Sequence, residues 1–467
     1  MQNALLVADD LTGAVDTGHG FAARGRWVRV RLRGEHGTDS TATNRDVLAV
    51  DTDSRAASPS VAAEAVTRAI GAYPADRVYK KVDSTLRGNV VPEVDAAVAA
   101  TDADLAVVAP AFPATGRTTE GGVHRVDGTP LAEAGYGVPE SDLRTAFARS
   151  RYLVDHLGLD TVERGPDAVR EALASATEAG EPVLVTCDAT TEAHLDAVAT
   201  GAAALTGDGT VDDARRVDDA GRVDDAGRVD DAGRVDDAGR VDDAGRVDDA
   251  GRVDDAATGD TRSVLFVGSG GLAKHVAVPG EPGPASVVQP VTRPGALAVV
   301  GSTNERTLVQ LAAVPDELVV ALDPAAAVRN PEETGRRGAV RLGRLLDRGD
   351  RAVVTAATGE ADVEAAERVA TETGANAGER VATALSAAAS GAVAAAQPGS
   401  VLLTGGAVAR AVLTRLEAPE LALTGAAVAD GVPESVVATG PAQGTRVVTK
   451  AGGFGDERTI LNCLDAV

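Results

Sequence analysis

The sequence predicts an α/β protein of two α/β domains with mainly parallel sheets and a cleft between them. Three observations carry this prediction. Short apolar runs alternate with amphipathic stretches of helical length, the pattern of strand–helix–strand crossovers. A Pro- and Gly-rich stretch at 276–294 (VAVPGEPGPASVVQPVTRP) interrupts the alternation and reads as a linker. On both sides of it, strands end in polar or glycine-rich loops that lead into helices, the carboxyl-edge arrangement at which doubly wound sheets bind ligands. The expected units are 1–275 and 295–467, joined by 276–294.

In the first unit, ALLVA at 4–8 reads as a strand ending in Asp9-Asp10-Leu11-Thr12-Gly13-Ala14-Val15-Asp16, with a helix running on to about Arg24. Further strands are expected at 27–32, 46–51, 77–82, 104–109, 182–187 and 262–267, separated by helices near 58–72, 89–100, 166–179 and 190–205. In the second unit, strands are expected at 296–300, 318–322, 351–356, 400–404 and 445–449, with Ala-rich helices between them and a closing helix near 456–464. The first residues lack a basic segment and meet two carboxylates early, so they read as a buried strand and not as a signal peptide.

Between about 206 and 260 lies a low-complexity insert. The hexapeptide Arg-Val-Asp-Asp-Ala-Gly starts at Arg216 and repeats from Arg222, Arg228, Arg234, Arg240 and Arg246, closing with a variant from Arg252. One valine per unit cannot build a core, so an acidic loop is expected, with a hexapeptide β-helix or a weak calcium site as alternatives.

A net charge of -25 leaves no broad basic surface and excludes a nucleic-acid partner, and no apolar run is long enough for a membrane span. The acidic, Ala/Gly/Val-rich, lysine-poor composition is of the halophilic type, in which carboxylates keep the surface hydrated in concentrated salt. Cys187 and Cys463 are too few and too far apart for a disulfide framework or a zinc site, which suits the cytoplasm. Lysine is confined to Lys80, Lys81, Lys274 and Lys450, three of which sit beside glycine-rich or hydroxyl-rich loops. A pressure that replaces surface lysine by arginine should spare lysines whose compact ammonium is needed, so these are functional candidates.

The densest polar stretch is Lys80-Lys81-Val82-Asp83-Ser84-Thr85-Leu86-Arg87-Gly88, between an expected strand and helix. Asp9, Asp10, Thr12 and Asp16 are expected at the same sheet edge, where carboxylates and hydroxyls can hold sugar hydroxyls or magnesium. A third polar loop, 110–119, offers Arg117 to a carboxylate, although taken alone it reads equally well as a Pro-stiffened turn. His124 has no telling partner in the sequence. The second unit has three strand–glycine–helix junctions, at 301–304 (GSTN), 405–406 (GG) and 450–455 (KAGGFG), whose amides favour a nucleotide phosphate, with Lys450 adding positive charge. There is no Walker A pattern. Gly268-Ser269-Gly270-Gly271-Leu272-Ala273 fits a dinucleotide fingerprint loosely, but it lacks the acidic residue about 20 positions on, so a packing turn is the better reading.

At these residues the chain resembles the four-carbon acid sugar kinase family of threonate and erythronate kinases. The resemblance rests on ADDLTGAVD (8–16), KKVDSTLRG (80–88), PAFPATGRTTEGGVHRVDGTPL (110–131), VGSGGLA (267–273), the Gly-Ser…Thr…Gln pattern at 301–310, TGG (404–406) and TKAGGFG (449–455). It implies an acid-sugar-binding first domain, an ATP-binding second domain and reaction in the cleft. Carried over by motif, Asp10, Lys80, Asp83, Ser84 and Arg87 would contact the acid sugar. Ser302, the Gly405-Gly406 turn and Gly452 would contact ATP. The family usually reads GGDT or GGET where this chain has Gly405-Gly406-Ala407-Val408.

The resulting expectation is an ATP- and Mg²⁺-dependent kinase of a threonate-like acid sugar. Asp83 and Asp10 are the candidate bases. Asp9, Thr12, Asp16, Lys80, Lys81, Ser84, Thr85, Arg87 and Arg117 are expected around the acid sugar. Ser302, Gly405, Gly406, Ala407, Val408, Lys450, Gly452 and Gly453 are expected around ATP, with the metal ligands unassigned. The alternatives are a kinase of another small sugar acid or hydroxy acid, a non-catalytic sugar-acid sensor because of Ala407, or an NAD-dependent oxidoreductase resting on 268–273. The small-molecule partners are the acid sugar and ATP, in a chain that could act as a homo-oligomer.

Overall fold

A computed structural model of the chain describes residues 2–32, 46–206, 261–282, 288–348 and 351–465. The hexapeptide run lies outside these residues. The fold is α/β, and a single mixed sheet of 15 strands runs through it. From one edge to the other its strands are Val319–Ala321, Arg351–Thr355, Ala296–Val300, Ser400–Thr404, Arg446–Lys450, Val432–Val437, Glu420–Ala429, Val28–Arg31, Val47–Asp51, Gln2–Ala8, Ala75–Lys81, Val264–Gly268, Leu105–Ala109, Val183–Cys187 and Leu153–Leu157.

The expected strands lie where the apolar runs placed them, to within a few residues. Their burial explains why they read as continuous apolar runs. Leu6 and Ala8 belong to the core on one face of the sheet, while Leu5 and Val7 belong to the core on the other. A strand covered by helices on both faces needs apolar residues at every position. With few aromatics available, both cores are built mainly of Ala, Val and Leu.

Eight strands of the first half and five of the second form two parallel blocks. They meet through a ribbon that the sequence reading missed. The hairpin Glu420–Ala429/Val432–Val437 pairs antiparallel with Arg446–Lys450 on one side and with Val28–Arg31 on the other. Its turn contains Asp430-Gly431, with Gly431 at φ +70°, a common signal for a tight hairpin. The two blocks therefore run in opposite directions where they join. Their carboxyl ends nevertheless border one cavity, so the sheet turns through the ribbon, as the twist accumulated by successive strands allows.

A second small sheet, Arg117–Glu120/Val123–Val126/Thr129–Pro130, stands where the sequence suggested only a polar loop. Gly121 and Gly122, both at positive φ, make its first turn. The start of the expected linker is held against the first half, because Arg24, Arg26 and Arg77 donate to the carbonyls of Val276, Val278 and Ala277. Among the described residues no helix is long and apolar enough to cross a membrane.

Candidate functional site

The carboxyl edges of both halves enclose a cavity of about 390 Å³. From the first half, Asp10, Thr12, Gly13 and Asp16 reach it from the loop and helix after Gln2–Ala8, and Lys81, Asp83, Ser84, Thr85 and Arg87 from the loop after Ala75–Lys81. Arg117 enters from the small sheet. Opposite stand Gly301–Asn304, Gly405-Gly406 and 451–454. Asp10 caps the helix Leu11–Ala22 by accepting from the Gly13 amide at 2.9 Å, and Thr12 donates to its other oxygen at 2.6 Å.

The 82–88 loop is held by its own carboxylate. Asp83 takes a two-pronged contact from Arg87, at 2.8 and 3.0 Å, and a hydroxyl bond from Thr85. Burial alone would raise the Asp83 carboxyl, but Arg55 and Arg87 outweigh it and hold it far below the usual carboxylate range. Leu86 sits at φ +54°, a costly conformation for a branched residue, and its side chain packs against Val126, Leu131 and Leu143 next to the small sheet. His124, buried in that sheet, donates from Nε2 to the Ser84 carbonyl at 2.8 Å. That bond leaves Nδ1 as the acceptor for the Thr119 hydroxyl at 2.9 Å. The residue that the sequence left without a role therefore braces the loop.

Three of the expected residues, Lys80, Asp9 and Lys450, stand outside the cavity lining. Lys80 is fully buried away from the cavity and pairs with Glu93 at 2.8 Å, while Ser54 donates to the other Glu93 oxygen at 2.6 Å. Successive strand residues face opposite sides, so only Lys81 of the pair can reach the cavity. Asp9 is buried behind Arg55, which contacts it at 2.6 and 2.9 Å, and does not line the cavity. Lys450 is fully buried beneath the glycine loop, where its ammonium donates to the carbonyls of Ala451, Gly452 and Phe454 at 3.0–3.2 Å. Burial pulls its pKa down to about 8. Thr307 and Gln310, the later members of the 301–310 pattern, hold the same loop by donating to Gly452 and Phe454 carbonyls.

Arg55 is the main residue that the sequence reading missed. Its guanidinium joins Asp9 and Asp10 and lies 3.5 Å from Asp83. It follows the strand Val47–Asp51, so the sheet-edge reasoning applied to Asp9 and Lys81 would have found it. The aromatics are a second missed signal. Of the five phenylalanines and four tyrosines in this chain, Phe112, Phe454 and Tyr136 line this one cavity. Arg87 stacks on Tyr136 at 5.8 Å, and Arg117 lies 5.9 Å from the centre of the Phe454 ring.

A second cavity of about 340 Å³ adjoins the first and shares with it Gly301–Thr303 and Gly405-Gly406. Its walls are more apolar and include Val363, Ala366, Val381 and Leu385, with Ala407 and Val408 at the shared end. Gly405, at φ +86°, opens the helix Gly406–Arg415. A side chain there would crowd the Ser302 amide and Gly301 carbonyl carbon at 3.2 Å, so glycine is needed for the loops to close together. Further along that helix, Arg410 reaches across to Asp51 and, at 3.1 Å, to Asp53 of the first half.

Fold and site together define an α/β protein with a polar and a more apolar chamber meeting at a glycine rim. Residues 4–212 match the family model described as a sugar-binding N-terminal domain, and 297–460 that of a nucleotide-binding C-terminal domain. The chain is 32% identical over 476 residues to a D-threonate kinase of Bordetella bronchiseptica, covering 99% of this chain and 96% of that one. The chain belongs to the four-carbon acid sugar kinase family.

It is also 41% identical over 210 residues to a D-threonate kinase of Cupriavidus necator and 38% identical over 214 residues to a D-erythronate kinase of Heliobacterium modesticaldum. Each match covers 43% of this chain, and the chain spans about half the length of these two relatives, 49% and 48%. Two solved structures share the fold. A Salmonella typhimurium protein has a TM-score of 0.69 at 21% identity, covering 99% of this chain and 98% of its own. A Haemophilus influenzae protein has a TM-score of 0.64 at 18% identity, covering 98% of each chain.

Proposed function

We propose that the chain is an ATP-dependent kinase that phosphorylates a hydroxyl of a four-carbon acid sugar of the threonate or erythronate type. In this reading residues 1–275 hold the acid and 295–467 the nucleotide. The observation that carries it is the pair of chambers joined at Gly301–Thr303 and Gly405-Gly406. The more apolar chamber suits a nucleobase. The shared rim suits phosphates, because the free amides at the start of the Gly406–Arg415 helix favour anions. In the polar chamber Arg87 and Arg117 can take the carboxylate, with Thr12, Lys81, Ser84 and Thr85 near the hydroxyls. The names of the relatives support the same substrate class.

Lys450 would act indirectly. By drawing the carbonyls of Ala451, Gly452 and Phe454 inward it would leave the opposite, amide edges of those peptides for phosphate. Magnesium would enter with the nucleotide, since it is usually held by phosphates and water with only one or two protein carboxylates. Among the described residues no cluster of three metal-ligating side chains is present, so the ion would be held by the nucleotide's phosphates and water, where it would neutralise charge on the transferring phosphoryl group. The buried free thiols Cys187 and Cys463 suit a cytoplasmic setting, and the acidic composition suits concentrated salt.

The test is ADP release in concentrated potassium chloride with each stereoisomer of threonate and erythronate. Saturable ADP release with at least one of them is expected, and none with any would sink the reading. Ala407 at the end of the apolar chamber favours the sensor as a second reading. Ala407→Asp discriminates between them: a kinase should gain turnover, whereas a sensor should bind the acid and still release no ADP.

A further inference from the structure

We propose that Asp16 is the general base that takes the proton from the acceptor hydroxyl. This rests on the kinase reading above. Three carboxylates line the polar chamber, namely Asp10, Asp16 and Asp83. Two of them are already committed. Asp83 is bound by Arg87 and Thr85 and lies beside Arg55. Asp10 accepts from Thr12, from the Gly13 amide and twice from Arg55. Both oxygens of Asp10 are already occupied by donors, and the arginines beside Asp83 hold its carboxyl far below the usual range, so neither is placed to take the proton of a substrate hydroxyl.

Asp16 differs on each point. It accepts no hydrogen bond from any described residue, although it lies within the chamber lining. It projects from the helix Leu11–Ala22 one turn beyond Thr12, on the same face. The glycine turn at 268–271, which the kinase reading had left without a role, makes room for it. A Cβ at Gly270 would stand 2.8 Å from Asp16 Oδ2 and 3.0 Å from the Phe112 ring. Phe112 in turn faces Phe454 of the opposite half, with ring centres 6.5 Å apart. The carboxylate thus sits beside the junction of the halves, where an acid-sugar hydroxyl and a γ-phosphate would have to meet.

The charged and titratable groups around Asp16 are Lys81, Lys274, Asp10 and Tyr79. Burial raises its carboxyl to about 6, with Lys81 and Lys274 pulling it down and Asp10 pushing it up. A base with such a pKa is ionised at neutral pH and can still accept a proton. As the substrate oxygen bonds to the γ-phosphorus, the bond from that phosphorus to the bridging oxygen breaks and ADP leaves with the electron pair. The hydroxyl proton passes to Asp16 and then to solvent when the phosphate ester departs. Lys274, set 4.7 Å from the centre of the Phe112 ring, is then a positioning residue that tunes the base.

The test uses the full chain at saturating MgATP. Asp16→Asn should lower kcat by about 10²–10⁴-fold, the range for a positioned base, with KM for the acid changed little. The acid limb of the kcat/KM profile, expected near pH 6 in the wild type, should disappear. Asp16→Glu should restore part of the turnover. Lys274→Met removes a cation that lowers the Asp16 pKa, so it should move the limb to higher pH; this remains readable if Asp16→Asn fails to fold. An Asp16→Asn enzyme within tenfold of wild type, or one that keeps the acid limb, overturns the assignment while leaving the kinase standing. So does an unmoved limb in Lys274→Met. A wild-type chain that turns over no acid sugar overturns the kinase reading, and this assignment with it.

Discussion

Asp83→Asn is expected to lower kcat/KM for the acid sugar by about 100-fold while nucleotide affinity stays within about twofold. A misplacement of about 1 Å in a positioning group costs roughly that much. Asp83 orients Arg87 through two parallel bonds and helps to hold Arg55, so the amide variant frees the guanidinium expected to meet the substrate carboxylate. The loss should fall mainly on KM for the acid. Its pH dependence separates this role from that of a base. The folded-state carboxyl is held far below its ordinary value, so its ion pairs are fully present above about pH 4 and fade only as the pH falls below that. The ratio of wild type to variant should therefore be flat from about pH 5 to 9, in contrast to the Asp16 limb. Isothermal titration with nucleotide, alongside steady-state rates across that range, would decide it. A ratio that varies steeply near pH 6 would return Asp83 to the list of bases.

Lys80→Met should cost about 3–5 kcal/mol of folding stability, the usual penalty for leaving one member of a buried ion pair without its partner. Lys80 and Glu93 are 0% and 2% exposed, and Glu93 would keep only the Ser54 hydroxyl. Urea unfolding at fixed high salt measures the loss. Pairing the change with Glu93→Leu should recover most of it, since an apolar pair of similar volume avoids the unpaired charge. If Lys80 instead held the substrate, Lys80→Met would unfold at the same urea concentration as wild type and show only a raised KM.

Most strands of the two parallel blocks were legible because strands covered on both faces leave uninterrupted apolar runs. The sheet edge that would carry chemistry was legible for the same reason, since every expected loop there follows such a run. The antiparallel ribbon and the small sheet were missed. Glu420–Ala429 is buried only over its first four residues, Val432–Val437 is broken by Pro433, Glu434 and Ser435, and the small-sheet strands are only partly buried, so the apolar signal fades. Their turns, Gly121-Gly122 and Asp430-Gly431, were nevertheless visible as hairpin punctuation.

By itself the sequence determined which residue types gather at the edge and in what order along the chain: the carboxylate loop at 9–16, the KKVDSTLRG loop, the polar loop at 110–119 and the glycine junctions of the second unit. Tertiary structure decided how those groups are used. Strand alternation turned Lys80 into the core and Lys81 into the cavity. The arrival of Arg55 from another loop committed Asp10 and Asp83, and Gly270 left space beside Asp16. A carboxylate's partners come from distant parts of the chain, and those partners decide whether it can hold a proton, so no local pattern can tell an ion-paired aspartate from a base.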